Sequence, residues 1–183
     1  MNAHLLKVGI LAAAVSVVAV ASPSLRGQGA QAMKSVSVDL KTAQGQSVGT
    51  AMITPSGAGI QIAYDLKTLP PGEHAFHIHG VAKCEAPGFT TAGGHFNPEM
   101  KKHGLQNPEG PHAGDMNNFT VAPDGTAKGT LADTRVTLGM AGANSIFAAG
   151  GTALVVHAGP DDMKTDPAGN AGDRIACGTI TMA

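Results

Sequence analysis

The sequence predicts an all-β domain, a sandwich or flattened barrel carrying two outsized loops. Three observations lead there. Short runs alternate apolar and polar residues, as half-buried strands do. The chain holds 25 Gly and 11 Pro with no Trp and few aromatic residues, which suits strands joined by turns rather than packed helices. No segment of useful length follows the helical period. At 183 residues the chain fits one domain plus a targeting segment.

The first element lies outside that domain. Lys7 and the N-terminal amine supply positive charge, and Val8 to Ala21 then run without a charged residue. This is shorter than the roughly 20 residues a membrane span needs. Pro23 breaks the run and small residues follow, which is the pattern of a secretory signal peptide. No stable membrane anchor is expected. Cleavage fits after Ala21 (Ala19-Val20-Ala21) or after Ala32 (Ala30-Gln31-Ala32), and Ala32 is favoured because strand-like alternation begins near Ser35. The expected division is 1–32 as leader and 33–183 as exported domain.

Val36-Ser37-Val38-Asp39-Leu40 alternates as a half-buried strand should. Val48 to Thr54 and Ile60 to Leu66 repeat the pattern around a turn expected at Pro55-Ser56-Gly57. Leu69-Pro70-Pro71-Gly72 leads into Glu73 to His79. Residues 80–117 then carry Gly, Pro, Asn and His with little periodicity, far longer than an ordinary connection of about 4–6 residues. Pattern returns at Phe119 to Ala122, turns at Pro123-Asp124-Gly125 and resumes through Leu131 to Val136. Met140 to Gly151 is rich in Gly and Ala and shows no clear period. Leu154-Val155-Val156-His157 reads as a buried strand, 158–173 as a second long polar loop, and Ile175 to Thr181 as a closing strand. Long loops on a rigid scaffold usually carry function.

The formal net charge is −1, so no basic surface advertises nucleic acid or acidic lipid. Loss of residues 1–32 removes Lys7 and Arg26 and no acid, leaving ten basic against 13 acidic residues, a net −3. Cys84 and Cys177 both lie in the exported part. An even count in an oxidising compartment favours a structural disulfide over free or catalytic thiols, and no CxxC redox pair is present.

Apart from His4 in the leader, the histidines are His74, His77, His79, His95, His103, His112 and His157, all in or beside the two long loops. His77 and His79 are two apart on a strand, so both side chains leave one face, with Phe76 and Ile78 on the other. Two imidazoles on one face suit copper or zinc. Taken alone, such a pair is more commonly a pair of partly exposed strand histidines, and His157 more commonly a structural residue. His95, His103, His112 and Asp115 form a second group within the long loop. Three imidazoles and a carboxylate can enclose zinc tetrahedrally, and a loop with little core of its own gains order when a metal ties it.

The runs Gly72-Glu73-His74-Ala75-Phe76-His77-Ile78-His79, Gly94-His95-Phe96-Asn97-Pro98 and Lys102-His103-Gly104 occur in one order. His112-Ala113-Gly114-Asp115, Leu154-Val155-Val156-His157 and Gly169-Asn170-Ala171-Gly172-Asp173-Arg174-Ile175-Ala176-Cys177-Gly178 follow them. From about residue 35 to the C-terminus the chain resembles the copper/zinc superoxide dismutase family, and its leader makes it resemble a bacterial exported, periplasmic member. The resemblance implies a Greek-key barrel of about eight antiparallel strands and dismutation of superoxide to oxygen and hydrogen peroxide. It implies copper on His77, His79, His95 and His157, and zinc on His95, His103, His112 and Asp115, with His95 shared. It further implies that Asp161 links a copper histidine to a zinc histidine and that His74 is structural. Cys84 and Cys177 match the family disulfide, and Arg174 the active-site arginine.

Ala75 stands where the family commonly has Gly, Ala82 where Gly often precedes the cysteine by two, and Asn117 where Pro or Gly is frequent; none is a ligand. The expected partner is the superoxide anion, and a homodimer is the candidate assembly. Two other functions compete on the sequence alone. A metal carrier without turnover needs neither Arg174 nor a shared ligand, and a zinc-stabilised adhesive sandwich leaves His77, His79 and His157 unexplained.

Overall fold

In the computed structural model, residues 35–182 are described; the leader expected over 1–32 lies outside them. Nine strand segments follow in order: β1 Val36–Lys41, β2 Ser47–Ser56, β3 Gly59–Leu66, β4 Gly72–His74, β5 Phe76–His79, β6 Phe119–Val121, β7 Ala127–Asp133, β8 Thr152–His157 and β9 Arg174–Ile180. Among the described residues, helix is limited to single 3-10 turns at Thr90–Ala92 and Ala148–Gly150. Seven strands form one sheet in the order β5-β8-β9-β1-β2-β3-β7, and β4 and β6 pair separately. Every strand pair is antiparallel.

The two sheets close on each other. Only Ala75 separates β4 from β5, and it leaves the ladder to exchange bonds with the second long loop and β8. Its N–H donates to the Gly159 carbonyl at 2.9 Å and its carbonyl accepts from His157 N–H at 3.0 Å. Counted as one bent strand, residues 72–79 give the eight strands expected. At the opposite edge β6 turns through Asp124 and Gly125 into β7. The β4–β6 pair thereby joins the two edges of the seven-stranded sheet, producing the flattened barrel.

Alternation explains which side chains fill it. β1 and β3 bury every second residue, placing Val38, Leu40, Ile60, Ile62 and Leu66 inside. Tyr64, Phe76 and Phe119 meet edge-on or tilted, with centroids 5.3 to 6.2 Å apart. β8 is different, because all six of its residues are buried. Leu154 and Val156 face the barrel core. Ala153 and Val155 face a second small core made with Phe89, Ala92 and Cys177. Residues 81–93 thus roof the outer face of β8, which is why its sequence is a continuous apolar run.

Two boundaries differ from the sequence expectation. The β2–β3 ladder continues through Pro55 opposite Ile60 and Ser56 opposite Gly59, so the reversal falls on Gly57 and Ala58. β7 ends at Asp133, but Val136 and Leu138 remain buried after the chain has left the sheet. Their apolar pattern therefore outlasts the strand. The Gly- and Ala-rich stretch after residue 140 also serves the core, since Ile146 and Phe147 insert there.

Cys84 and Cys177 form a disulfide with Cα atoms 5.6 Å apart and a sequence separation of 93. It staples the roof over β8 to β9. Closing so long a loop contributes about 4–5 kcal/mol on the chain-entropy model. Cys84→Ser is therefore expected to lower the melting temperature by roughly 8–15 °C, as calorimetry would read; an unchanged melting temperature would contradict it.

Candidate metal centre

The centre is assembled on one edge strand. His77 and His79 flank Ile78 on β5, whose outer edge pairs with no other strand among the described residues. The long loop covers that edge. Ile78 N–H donates to the Gly114 carbonyl at 2.9 Å, and Phe96 N–H donates to the Ile78 carbonyl at 2.8 Å. Phe96 follows His95, and Gly114 precedes Asp115, so two hydrogen bonds bring four candidate ligands together. A Cβ on Gly114 would lie 2.1 Å from the Ile78 carbonyl oxygen, so the approach requires glycine. His157 ends β8, the strand paired with β5.

The sequence-predicted residues fall into two quartets that share His95. His77, His79, His95 and His157 bring their donor atoms within 4.8 Å of one another, as do His95, His103, His112 and Asp115. All are buried except for a little of the His95 backbone, and the His95 side chain is 2% exposed.

In the first quartet the protein holds one nitrogen of each ring and aims the other inward. His77 Nε2 bonds Asp161 Oδ2 at 2.9 Å, His79 Nδ1 the Gly93 carbonyl at 2.9 Å, and His157 Nδ1 the Gly172 carbonyl at 3.2 Å. The inward atoms include His77 Nδ1 and His95 Nε2, both buried with no hydrogen-bond partner. His79 Nε2 and His157 Nε2 face each other at 3.3 Å. Buried nitrogens without partners are costly, and a metal ion would satisfy all four. The donor set fits such an ion.

The second quartet centres on Asp115. Its Oδ1 lies 2.8 Å from His95 Nδ1, 3.1 Å from His103 Nδ1 and 3.3 Å from His112 Nδ1. Its Oδ2 accepts the N–H groups of Gly104 at 2.8 Å and His112 at 2.9 Å. Asp161 joins the quartets, with Oδ2 on His77 and Oδ1 on His103 Nε2 at 2.9 Å. A Cβ on Gly169 would collide with that carboxylate, so glycine admits it. His74 belongs to neither group: its ring nitrogens bond the His157 carbonyl at 2.9 Å and the Pro70 carbonyl at 2.8 Å.

Burial sets the electrostatics. It pushes His95 and His157 down to about 4 and His79 well below the ordinary histidine range, leaving these rings neutral with free lone pairs. Burial opposes charging of His103 too, but hydrogen bonds to Asp115 and Asp161 outweigh it and raise that ring to about 9. Burial likewise works against ionised Asp115 and Asp161, and their histidine partners more than offset it, holding both well below the usual carboxylate range.

Arg174 opens β9 opposite His157, at an irregularity in the ladder. Its guanidinium donates to the carbonyls of Phe89 and Gly93, each at 2.7 Å. The Gly93 oxygen therefore serves both Arg174 and His79. Lys164 is exposed, its side chain free of any hydrogen bond among the described residues. Two contributors escaped sequence reasoning. Asn118 clamps Asp161 by exchanging two 2.9 Å bonds with its backbone, and Asp166 accepts the His103 N–H at 2.8 Å. Both look like ordinary loop polar residues, and only their cross-loop partners distinguish them.

A pH dependence follows for the chelator-stripped protein. His95 and His157 titrate at about 4 when folded, against about 6.5 in an unfolded chain. Their contribution to stability is present above about 6.5 and lost as pH falls toward 4. His103, protonated throughout this range when folded, becomes protonated in the unfolded chain only as pH falls through about 6.5, so its contribution still rises slightly between pH 7 and 6 and offsets only a small part of the loss. The melting temperature of the stripped protein should fall by about 5 °C or more between pH 7 and pH 4.5, and a flat profile would refute this.

Residues 47–180 match the family described as copper/zinc superoxide dismutase (SODC). The chain is 50% identical over 143 residues to superoxide dismutase [Cu-Zn] 1 of Aquifex aeolicus, covering 78% of this chain and 85% of that one. Its fold is similar to a crystal structure of a superoxide dismutase-like protein from Bacillus subtilis, with TM-score 0.74 and 37% identity over 78% of this chain and 96% of the other. The Cu/Zn superoxide dismutase of Brucella abortus superposes with TM-score 0.66 at 29% identity, over 80% and 99% of the two chains. Barrel, ligand quartets and sequence agree: the chain belongs to the copper/zinc superoxide dismutase family.

Proposed function

We propose that the protein dismutes superoxide, converting two superoxide anions and two protons into oxygen and hydrogen peroxide at a copper and a zinc that share His95. The observation that carries this reading is the His95 ring. Its Nδ1 faces Asp115 at 2.8 Å, while its Nε2 is buried in the other quartet without a protein partner. On this reading His77, His79, His95 and His157 hold copper, and His95, His103, His112 and Asp115 hold zinc. Donor chemistry supports the division, since a carboxylate with three imidazoles suits zinc and an all-imidazole set suits copper. When bound, copper supplies one-electron redox chemistry, and zinc, which has none, supplies a fixed positive charge.

The remaining work belongs to side chains. His95 Nε2, the nitrogen of that ring which the protein leaves free, would hold copper or a proton but not both, and in its protonated form it would be the donor to the departing peroxide. Asp161 fixes His77 and His103 together, so the rings on the two sides keep one relative orientation. The carbonyls of Gly93 and Gly172 fix the tautomers of His79 and His157. Arg174 brings positive charge close enough to depress the titration of both those rings. The exported domain is net acidic, so attraction of an anionic substrate must be local.

Arg174→Glu should slow superoxide consumption about 10-fold or more, with copper and zinc content unchanged, and Arg174→Lys should fall between it and the wild type, because Lys keeps the charge but loses the planar fork. The wild-type rate should decline with ionic strength, and the Glu variant should lose or reverse that slope. Stopped-flow decay at fixed pH reads both. Wild-type rates and slopes in both variants would remove Arg174 from this role.

A further inference from the structure

Arg135 lies two residues beyond the end of β7, outside both quartets. Its Nη2 donates to the main-chain carbonyl of Asp115 and lies 3.0 Å from Asp133 Oδ1. That same Oδ1 accepts the backbone N–H of Arg135 at 2.9 Å. Asp133 is 1% exposed, and the Arg135 side chain 29%. Asp115 sits in a stretch with no ladder of its own. Among the described residues, Arg135 is the donor that its carbonyl receives. Asp115 is therefore gripped from two directions. Gly104 and His112 hold its carboxylate from the loop side, and Arg135 holds its main chain from the barrel side.

The pairing is an expensive way to fasten a loop. Asp133 Oδ2 and Arg135 Nε are buried and have no partner. Replacing a buried ion pair by neutral groups is often harmless to stability, so folding alone gives little reason for one here. Its orientation gives a better reason, because the charge ends on the backbone of a carboxylate ligand. We infer that Arg135, anchored on Asp133, is a positioning residue that sets how tightly the Asp115 quartet holds its metal while leaving the all-histidine quartet untouched.

The inference rests on the assignment of Asp115 to zinc, and its test separates the two. Four disulfide-intact full-length proteins are compared: wild type, Asp115→Ala, Arg135→Lys, and the double variant Asp133→Asn with Arg135→Met. The double variant leaves no unpaired buried charge, so its fold should survive. Zinc and copper affinities are measured by chelator competition, and cobalt(II) in place of zinc reports ligand geometry through its visible bands. The double variant should bind zinc about 10–100-fold more weakly with altered cobalt bands, and its copper affinity should stay within about 3-fold of wild type. Both wild-type contacts start from the single nitrogen Nη2, so a lysine ammonium can replace them, and Arg135→Lys should recover most of the zinc affinity.

Wild-type zinc affinity in the double variant, equal loss of both metals, or a Lys variant no better than the double variant would each overturn the inference. If Asp115→Ala itself kept wild-type zinc affinity, the ligand assignment would fall, and the role of Arg135 with it. If Asp115→Ala lost zinc and the double variant did not, only Arg135 would be dismissed.

Discussion

Ile78 exchanges both of its outward main-chain bonds with the long loop, one with Gly114 and one with Phe96, and the rest of the centre depends on that exchange. An edge strand left bare would invite pairing with another chain. Covering it with the loop removes that hazard and simultaneously sets His95 and Asp115 against His77 and His79. The ligands are neighbours in sequence of the residues that make the backbone bonds, so their placement follows from sheet chemistry and needs no separate device. The apolar side chain of Ile78 is itself fully buried in the barrel core, which fixes the strand from below while the loop fixes it from the side.

A second layer refines the placement. Each ring of the first quartet is held by its outer nitrogen, and the holders come from the two long loops: Gly93 and Asp115 in the first, Asp161 and Gly172 in the second. Asp161 is held in turn by Asn118. The loops have few apolar residues to pack, so they are ordered by this polar network and by the ions it surrounds. Burial of neutral imidazoles next to ionised Asp115 and Asp161 also explains why neighbouring histidines shift in opposite directions. Burial lowers the proton affinity of His79 and His157, and of His95 even though it bonds Asp115, whereas His103, held between two carboxylates, gains it.

Much of this was legible in the sequence, for physical reasons that differ from residue to residue. β1 and β3 were readable because one face meets solvent and the period of two survives. The ligands were readable because, apart from His4, every histidine falls in or beside the two long loops. β8 showed only as an apolar run, since what buries its second face is the roof carried by residues 81–93 and stapled far along the chain. The end of β7 was overrun because Val136 and Leu138 stay buried without pairing. Which nitrogen of each ring faces inward, the clamp by Asn118 and the grip of Arg135 on Asp115 all depend on contacts between distant segments. Local pattern carries no trace of them.

The Gly93 carbonyl has a consequence for how such a centre can change. It accepts from His79, a ring of the all-histidine quartet, and from the Arg174 guanidinium. One oxygen atom thus serves as the common origin from which both are measured, and the loop bearing it is covalently tied to β9, where Arg174 begins. The seat of the guanidinium and the pose of the ring are thereby tied to one acceptor. A lineage that lengthened or shortened residues 85–93 would displace that oxygen, and the guanidinium and the imidazole would both have to be seated afresh.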